Sequence, residues 1–195
     1  MRGFFHLDLL RNYGIGNLAG RSDWSNRATI PYIKVNSIEI QPQQTYSDAL
    51  KFVIEDLTEA VTLLAVDPIT ESKEDSFYEL ANKDGYWSLN RNDRFNYYAA
   101  QAILARAYMW RGSTSDMEAA AKILEDIIPA IEEKGIARFN VSAADIMADY
   151  NGSAEAILRL EVQDLYAVTS KRFTKDVGSS YEFFYTSTAQ RDAIY

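Results

Sequence analysis

The stretch FNYYAAQAILARAYMWRGSTSDMEAAAKILEDII, residues 95–128, decides the fold. Its first half is rich in alanine and ends with Arg111 followed by Gly112, a cation in the last turn and then a residue free to adopt the left-handed conformation that stops a helix. Asn92 or Asp93 is the expected cap at its start. Ser115 and Asp116 mark a second start. Met117, Ala120, Ala121, Leu124, Ile127, Ile128 and Ile131 then recur at spacings of three and four up to a stop at Lys134 and Gly135. Two helices joined by so few residues must fold back on each other, and small side chains at Ala105 and Ala120 let their backbones approach closely.

The series Leu104, Ala105, Tyr108, Gly112, Met117, Ala120, Leu124 and Ile127 resembles the tetratricopeptide pattern, with two extra residues in the turn. One such hairpin cannot bury its own face, so neighbouring layers are required. Residues 45–65 offer one: Ala49, Leu50, Val53, Ile54, Leu57, Val61 and Leu64 form a single apolar stripe, Thr45 caps it and Asp48 occupies the box position. A second lies at residues 2–13. There Phe5, Leu9 and Tyr13 are expected on the buried side with Leu7 and Leu10 nearby, and Gly14 as the stop. Residues 15–44, with glycines at 16 and 20 and prolines at 31 and 42, read as a long irregular connection. Residues 67–92 form a polar excursion in which Asp84-Gly85 signals a turn. Beyond Gly135 the helical period fades; Ser142 is a candidate cap for a short helix over 143–150, and Ile157 to Val162 alternate in the two-residue period of a strand. The expected organisation is a single domain over 1–195, with an N-terminal helix at 1–14, a helical-repeat core at 45–134 and a mixed tail at 135–195.

Composition narrows the chemistry. The 195 residues carry 28 Asp and Glu against 20 Lys and Arg, a net charge of −8, with 47% hydrophobic and 25% charged residues. This is a chain that folds and stays in solution. Acidic balance and the lack of a basic cluster argue against nucleic acid, since a phosphate-backbone reader needs concentrated positive charge. With no cysteine and one histidine, thiolate sites and two-histidine metal sites are absent, so neither metal nor cofactor is expected. His6, among apolar neighbours, reads as a hydrogen-bonded core or boundary residue. Glu55 with Asp56, Glu125 with Asp126 and Glu132 with Glu133 read as solvated helix faces and offer no catalytic pair. Gly14-Ile15-Gly16 lacks the strand and third glycine of a dinucleotide loop.

Aromatic residues are the informative ones. Tyr97, Tyr98, Tyr108 and Trp110 sit on a helix and read as packing. Trp24, Tyr86 and Trp87 lie in polar segments, where an exposed ring beside Asn, Asp and Arg suits a sugar site: the ring stacks on the apolar face of a pyranose while polar neighbours meet its hydroxyls. These three are the candidate ligand-binding residues.

The blocks LDLLRNYG, IPYIKV, TYSDALKFVIEDLTEAVTLL, the hairpin above and AEAILRLEV follow one another in an order that resembles the SusD/RagB family. The resemblance implies a mainly α fold of tetratricopeptide-like hairpins, the SusD-like alpha-alpha superhelix, with long loops and a minor β element. It implies a protein without catalysis that captures glycans or other nutrients at the outer membrane, as a surface-exposed lipoprotein, and hands them to a SusC-like TonB-dependent transporter. Family members are longer and carry a signal and a lipidated cysteine, so this chain is expected to be a soluble fragment of such a parent. A helical-repeat adaptor gripping a peptide, with Gln101, Arg106 and Asn96 lining its groove, is the alternative; a carboxylate-dependent glycosidase is a further one.

Overall fold

The computed structural model describes residues 1–71, 91–138, 142 and 153–160, and Met1–Arg159 form one compact unit. Four α-helices stand among the described residues: α1 (Arg2–Tyr13), α2 (Tyr46–Leu63), α3 (Tyr97–Arg111) and α4 (Thr114–Glu133). They pack in chain order, α1 on α2, α2 on α3 and α3 on α4. Phe4 of α1 meets Phe95 just ahead of α3 at 5.2 Å between ring centroids, and the Arg11 guanidinium lies 5.9 Å from the Trp110 ring at the far end of α3. The two helices therefore run in the same direction, as the first helices of successive hairpins do in a tetratricopeptide stack.

Local chemistry explains the helix ends. The Asp48 amide donates to Thr45 Oγ1 at 3.1 Å, and that hydroxyl donates to the Asp48 carboxylate at 2.7 Å. Two caps lie elsewhere than the sequence reading places them. Asn92 and Asp93 belong to a short 3-10 turn, and Asn96 caps α3 by accepting from the Ala99 amide at 2.8 Å. Its side-chain amide also donates to the carbonyls of Arg91 and Ile157 at 2.9 and 3.1 Å, so one buried side chain joins three segments. For α4 the cap is Ser113, two residues before the expected Ser115; Ser113 and Asp116 form a reciprocal capping box. Gly112 takes φ +75°, which L side chains adopt only with strain.

Two further expectations change. On α1 the buried residues are Gly3, His6, Leu7 and Leu10, whereas Phe5, Leu9 and Tyr13 are 50%, 40% and 79% exposed. The helix lies so close to α2 that a Cβ on Gly3 would come within 3.0 Å of Leu57 Cγ. The buried side thus mixes a glycine and a histidine with Leu7 and Leu10, so its apolar signature in sequence is weak. The minor β element is also relocated. Residues 156–160 form no strand; instead the Arg159 amide donates to Asn92 O at 2.7 Å, in an irregular segment tied to the start of α3. The ladder lies in the long connection between α1 and α2, where β1 (Ala28–Pro31) pairs antiparallel with β2 (Gln43–Thr45), Ala28 opposite Thr45 and Pro31 opposite Gln43. The short helix expected at 143–150 lies outside the described residues.

Two apolar clusters hold the unit. The first joins α1, α2 and α3 through Leu7, Leu10, Tyr46, Leu50, Val53, Leu104 and Ala107. The second joins α3 to α4 through Tyr98, Ile127 and Ile131, and takes in Ile69 and Ile136 from outside the helices.

Candidate functional site

Among the three candidate aromatics, Trp24 is described and Tyr86 and Trp87 lie outside the described residues. Trp24 is half-buried, edge-on to Tyr46 with centroids 5.9 Å apart and planes at 89°, and packs against the first core. It is anchored by neighbours that need it, because Tyr46 is itself an organising residue. The Tyr46 hydroxyl accepts from Trp110 Nε1 at 2.9 Å and donates to Ile15 O at 3.0 Å. Burial pushes the Tyr46 phenol up from its ordinary value. Gly14 must be glycine for the same reason: a Cβ there would lie 2.4 Å from Leu10 O and 2.7 Å from the Tyr46 ring.

The base of the polar excursion that carries Tyr86 and Trp87 is fastened by a buried ion pair. Asp67 accepts from Arg91 Nε at 2.9 Å and Nη2 at 2.7 Å, and also from the amides of Ile69 and Tyr97 at 3.2 Å each. Every charge in this pair is met by hydrogen bonds, which is what allows it to be buried. The residues bracketing 72–90 are thus joined to each other and to the first turn of α3.

A second polar network fixes the connection between α1 and α2. Arg2 grips Asp56 through Nε at 2.6 Å and Nη2 at 2.5 Å, and the Tyr32 hydroxyl donates to the same carboxylate at 2.5 Å. Asp56 is therefore held inward by two partners, where the sequence reading places it on a solvated face. Burial would raise its carboxyl, but the bonds from Arg2 and Tyr32 outweigh this and hold it below its ordinary value. Burial and the bond to Asp56 push Tyr32 up. His6 is stacked on Tyr32 with centroids 4.0 Å apart; its Nε2 accepts from the Ile33 amide at 3.1 Å and its Nδ1 donates to Arg2 O at 2.9 Å. The neutral Nδ1–H tautomer meets both contacts, so His6 is the hydrogen-bonded boundary residue the sequence suggests.

A cavity of about 650 Å³ opens between α1, α3 and α4. Ala102, Ala105, Arg106, Met109 and Trp110 of α3 line it, with Arg11 of α1 and Leu124 of α4. Of the three polar residues that the adaptor reading calls for, Arg106 lines this cavity; Asn96 is buried in the cap of α3, and Gln101 lies outside it. Sequence reasoning assigns Trp110 to packing and overlooks Arg11. The available signal is weak, a guanidinium at 106 flanked by alanines in the middle of α3.

No family model and no curated protein matches this chain. Solved structures do. A SusD superfamily protein from Bacteroides vulgatus ATCC 8482 superposes with a TM-score of 0.59 at 24% identity, covering 83% of this chain and 32% of that one. The fold is SusD-like. A SusD superfamily protein from Bacteroides thetaiotaomicron VPI-5482 gives a TM-score of 0.55 at 20% identity, again over 83% of this chain and over 29% of that one. The chain spans about a third of the length of these SusD superfamily structures. No helix among the described residues is long and apolar enough to cross a membrane.

Proposed function

We propose that this chain is part of a non-catalytic nutrient-binding protein of the SusD type, which captures oligosaccharide at the outer-membrane surface and passes it to a SusC-like TonB-dependent transporter. The observation that carries this reading is the superposition of 83% of the chain on two SusD superfamily structures. In this reading the parent protein is a surface-exposed lipoprotein, and Trp87, Tyr86 and Trp24 contact the glycan. Trp24 contributes at most an edge, since it is half-buried against Tyr46. In sequence, Tyr86 and Trp87 follow the turn signal Asp84-Gly85 and are the stronger pair. Two stacked rings at about 1 kcal/mol each beyond area burial give weak binding, roughly millimolar to micromolar, which suits handover to a transporter.

The test is a glycan array on a longer protein containing this chain, followed by calorimetry with the preferred oligosaccharide on that protein and its Trp87→Ala variant. Loss of about tenfold in affinity, at an unchanged melting temperature, is expected if the ring stacks on sugar. Equal affinity removes Trp87 from the site. Release of reducing sugar from the bound oligosaccharide overturns the non-catalytic reading.

The adaptor reading is favoured by one observation, the placement of Arg106 in the cavity between α1, α3 and α4. It rests on residues other than Trp24, Tyr86 and Trp87.

A further inference from the structure

We infer that the cavity between α1, α3 and α4 is a docking site for an acidic, amphipathic segment of a partner protein: one large apolar side chain enters between Met109 and Trp110, and flanking carboxylates meet Arg11 and Arg106. The inference does not rest on the nutrient-binding reading.

Charge complementarity chooses this occupant. The chain has a net charge of −8, yet no acidic side chain among the described residues lines the cavity, and its two charged residues are both arginines. Arg106 is exposed and makes no hydrogen bond or ion pair with the described residues. Arg11 has a carboxylate neighbour, Asp8, at 3.7 Å, with both side chains largely in solvent, an arrangement worth little and easily exchanged for a better acceptor. On an acidic protein, two guanidiniums from two helices around an apolar floor, Arg106 unpaired among the described residues and Arg11 held by Asp8 and the Trp110 ring, form a local field opposite to the average one.

The floor itself argues against a neutral sugar. Each sugar hydroxyl both donates and accepts, whereas a guanidinium only donates. The remaining lining is Ala102, Ala105, Met109, Trp110 and Leu124, and the one indole N–H is already given to Tyr46. A site with charged donors, no side-chain acceptors and an apolar base fits a carboxylate beside a hydrophobic group. Arg11 and Arg106 stand on different helices, so a ligand carrying two acidic groups with an apolar one between them can meet both. A short stretch of polypeptide alternating acidic and apolar residues has that pattern. Met109, 52% exposed at the mouth, supplies an unbranched side chain able to adapt to the entering group.

The probe is a short fluorescein-labelled peptide in which a leucine is flanked by glutamates, compared by anisotropy with the same peptide carrying glutamines. The acidic peptide is expected to bind at least about tenfold more tightly than its glutamine counterpart, as charged hydrogen bonds are lost, and to weaken as salt is raised. Arg106→Gln should reduce affinity by about tenfold with an unchanged melting curve, because this side chain has no bond to lose. Met109→Ala reports on the apolar pocket separately and should weaken both peptides alike. Equal binding of the two peptides, or unchanged affinity in Arg106→Gln, overturns the inference. So does displacement of the acidic peptide by a galacturonate oligosaccharide at comparable concentration, which would assign the same cations to an acidic sugar.

Discussion

The two helical hairpins among the described residues turn back on themselves in opposite ways. Between α3 and α4 the chain uses Gly112 and Ser113 alone: a glycine at φ +75°, then a serine that closes a capping box with Asp116. Arg111 grips the same aspartate, with Nε 2.8 Å from its carboxylate. Between α1 and α2 the chain spends residues 14–45 on the same reversal, and nothing local dictates it. That connection is held by side chains arriving from far away: Tyr32 and Arg2 on Asp56, His6 on Ile33, and Tyr46 on the carbonyl of Ile15. A short turn is a property of its own residues, while a long one is closed by the core it covers.

The most severe way to break that contrast is to remove the residue on which the long connection depends. Tyr46→Ala deletes a buried ring that holds the cap of α1, Trp24 and Trp110, and should cost about 3–5 kcal/mol. Chemical denaturation measures the loss. Proteolysis should also find residues 15–44 first, if the loss of closure is local. A cost near that of a surface substitution would show that the connection closes by its own means.

A middle-sized effect is expected at the short turn. Gly112→Ala forces a Cβ into the left-handed region and should cost about 1–2 kcal/mol, with the excess falling on the junction of α3 and α4. Space is not the obstacle, since the built Cβ has only the Ala19 methyl at 3.4 Å and the Met109 carbonyl at 3.6 Å. Replacement by asparagine, which tolerates this conformation, should recover part of the loss. If alanine and asparagine cost the same, the positive φ is not what matters there.

The smallest effect should be shared by both hairpins. The bond from Arg111 holds the Asp116 carboxyl below its ordinary value of 3.8, and Arg2 with Tyr32 holds Asp56 below it against the opposing pull of burial. A carboxyl with a lowered folded value binds fewer protons folded than unfolded, so its stabilising contribution is complete above about pH 4 and fades as pH falls through the folded value. Thermal melts from pH 6 down to pH 2.5 should therefore show falling stability. Asp116→Asn should shallow the decline while destabilising the protein at neutral pH. A pH-independent melting temperature in the wild type over that range would remove both ion pairs from the account.

The candidate site divides along the same line. Arg106 is legible as a groove residue, because a guanidinium in the middle of an alanine-rich helix has few packing roles. Arg11 is not, since its membership depends on α1 running alongside α3, although residues 14–96, with α2 among them, separate the two in sequence. Trp110 shows both sides of the problem: its indole N–H is committed to Tyr46 while its ring lines the cavity. A packing residue and a lining residue carry the same letter.

What the sequence determined by itself is the set of local events. α2 and α4 lie where their apolar stripes place them, α3 lies where its alanine-rich run and its Arg111-Gly112 stop place it, and Thr45 caps α2, because periodicity, caps and left-handed stops act within a turn or two of the chain. Even the cap of α3 lies only a few residues from its expected place, since Asn92, Asp93 and Asn96 are all competent acceptors and the choice among them is made by Ile157, which receives a hydrogen bond from Asn96 across 61 positions. Tertiary structure alone decided which side of α1 is buried, where the β ladder forms and that residues 156–160 serve as a tie. Each of these depends on a partner dozens of residues distant. A glycine at 3 becomes a contact because Leu57 is there, and an amide at 159 finds its acceptor at Asn92; short-range propensity carries no record of such a meeting.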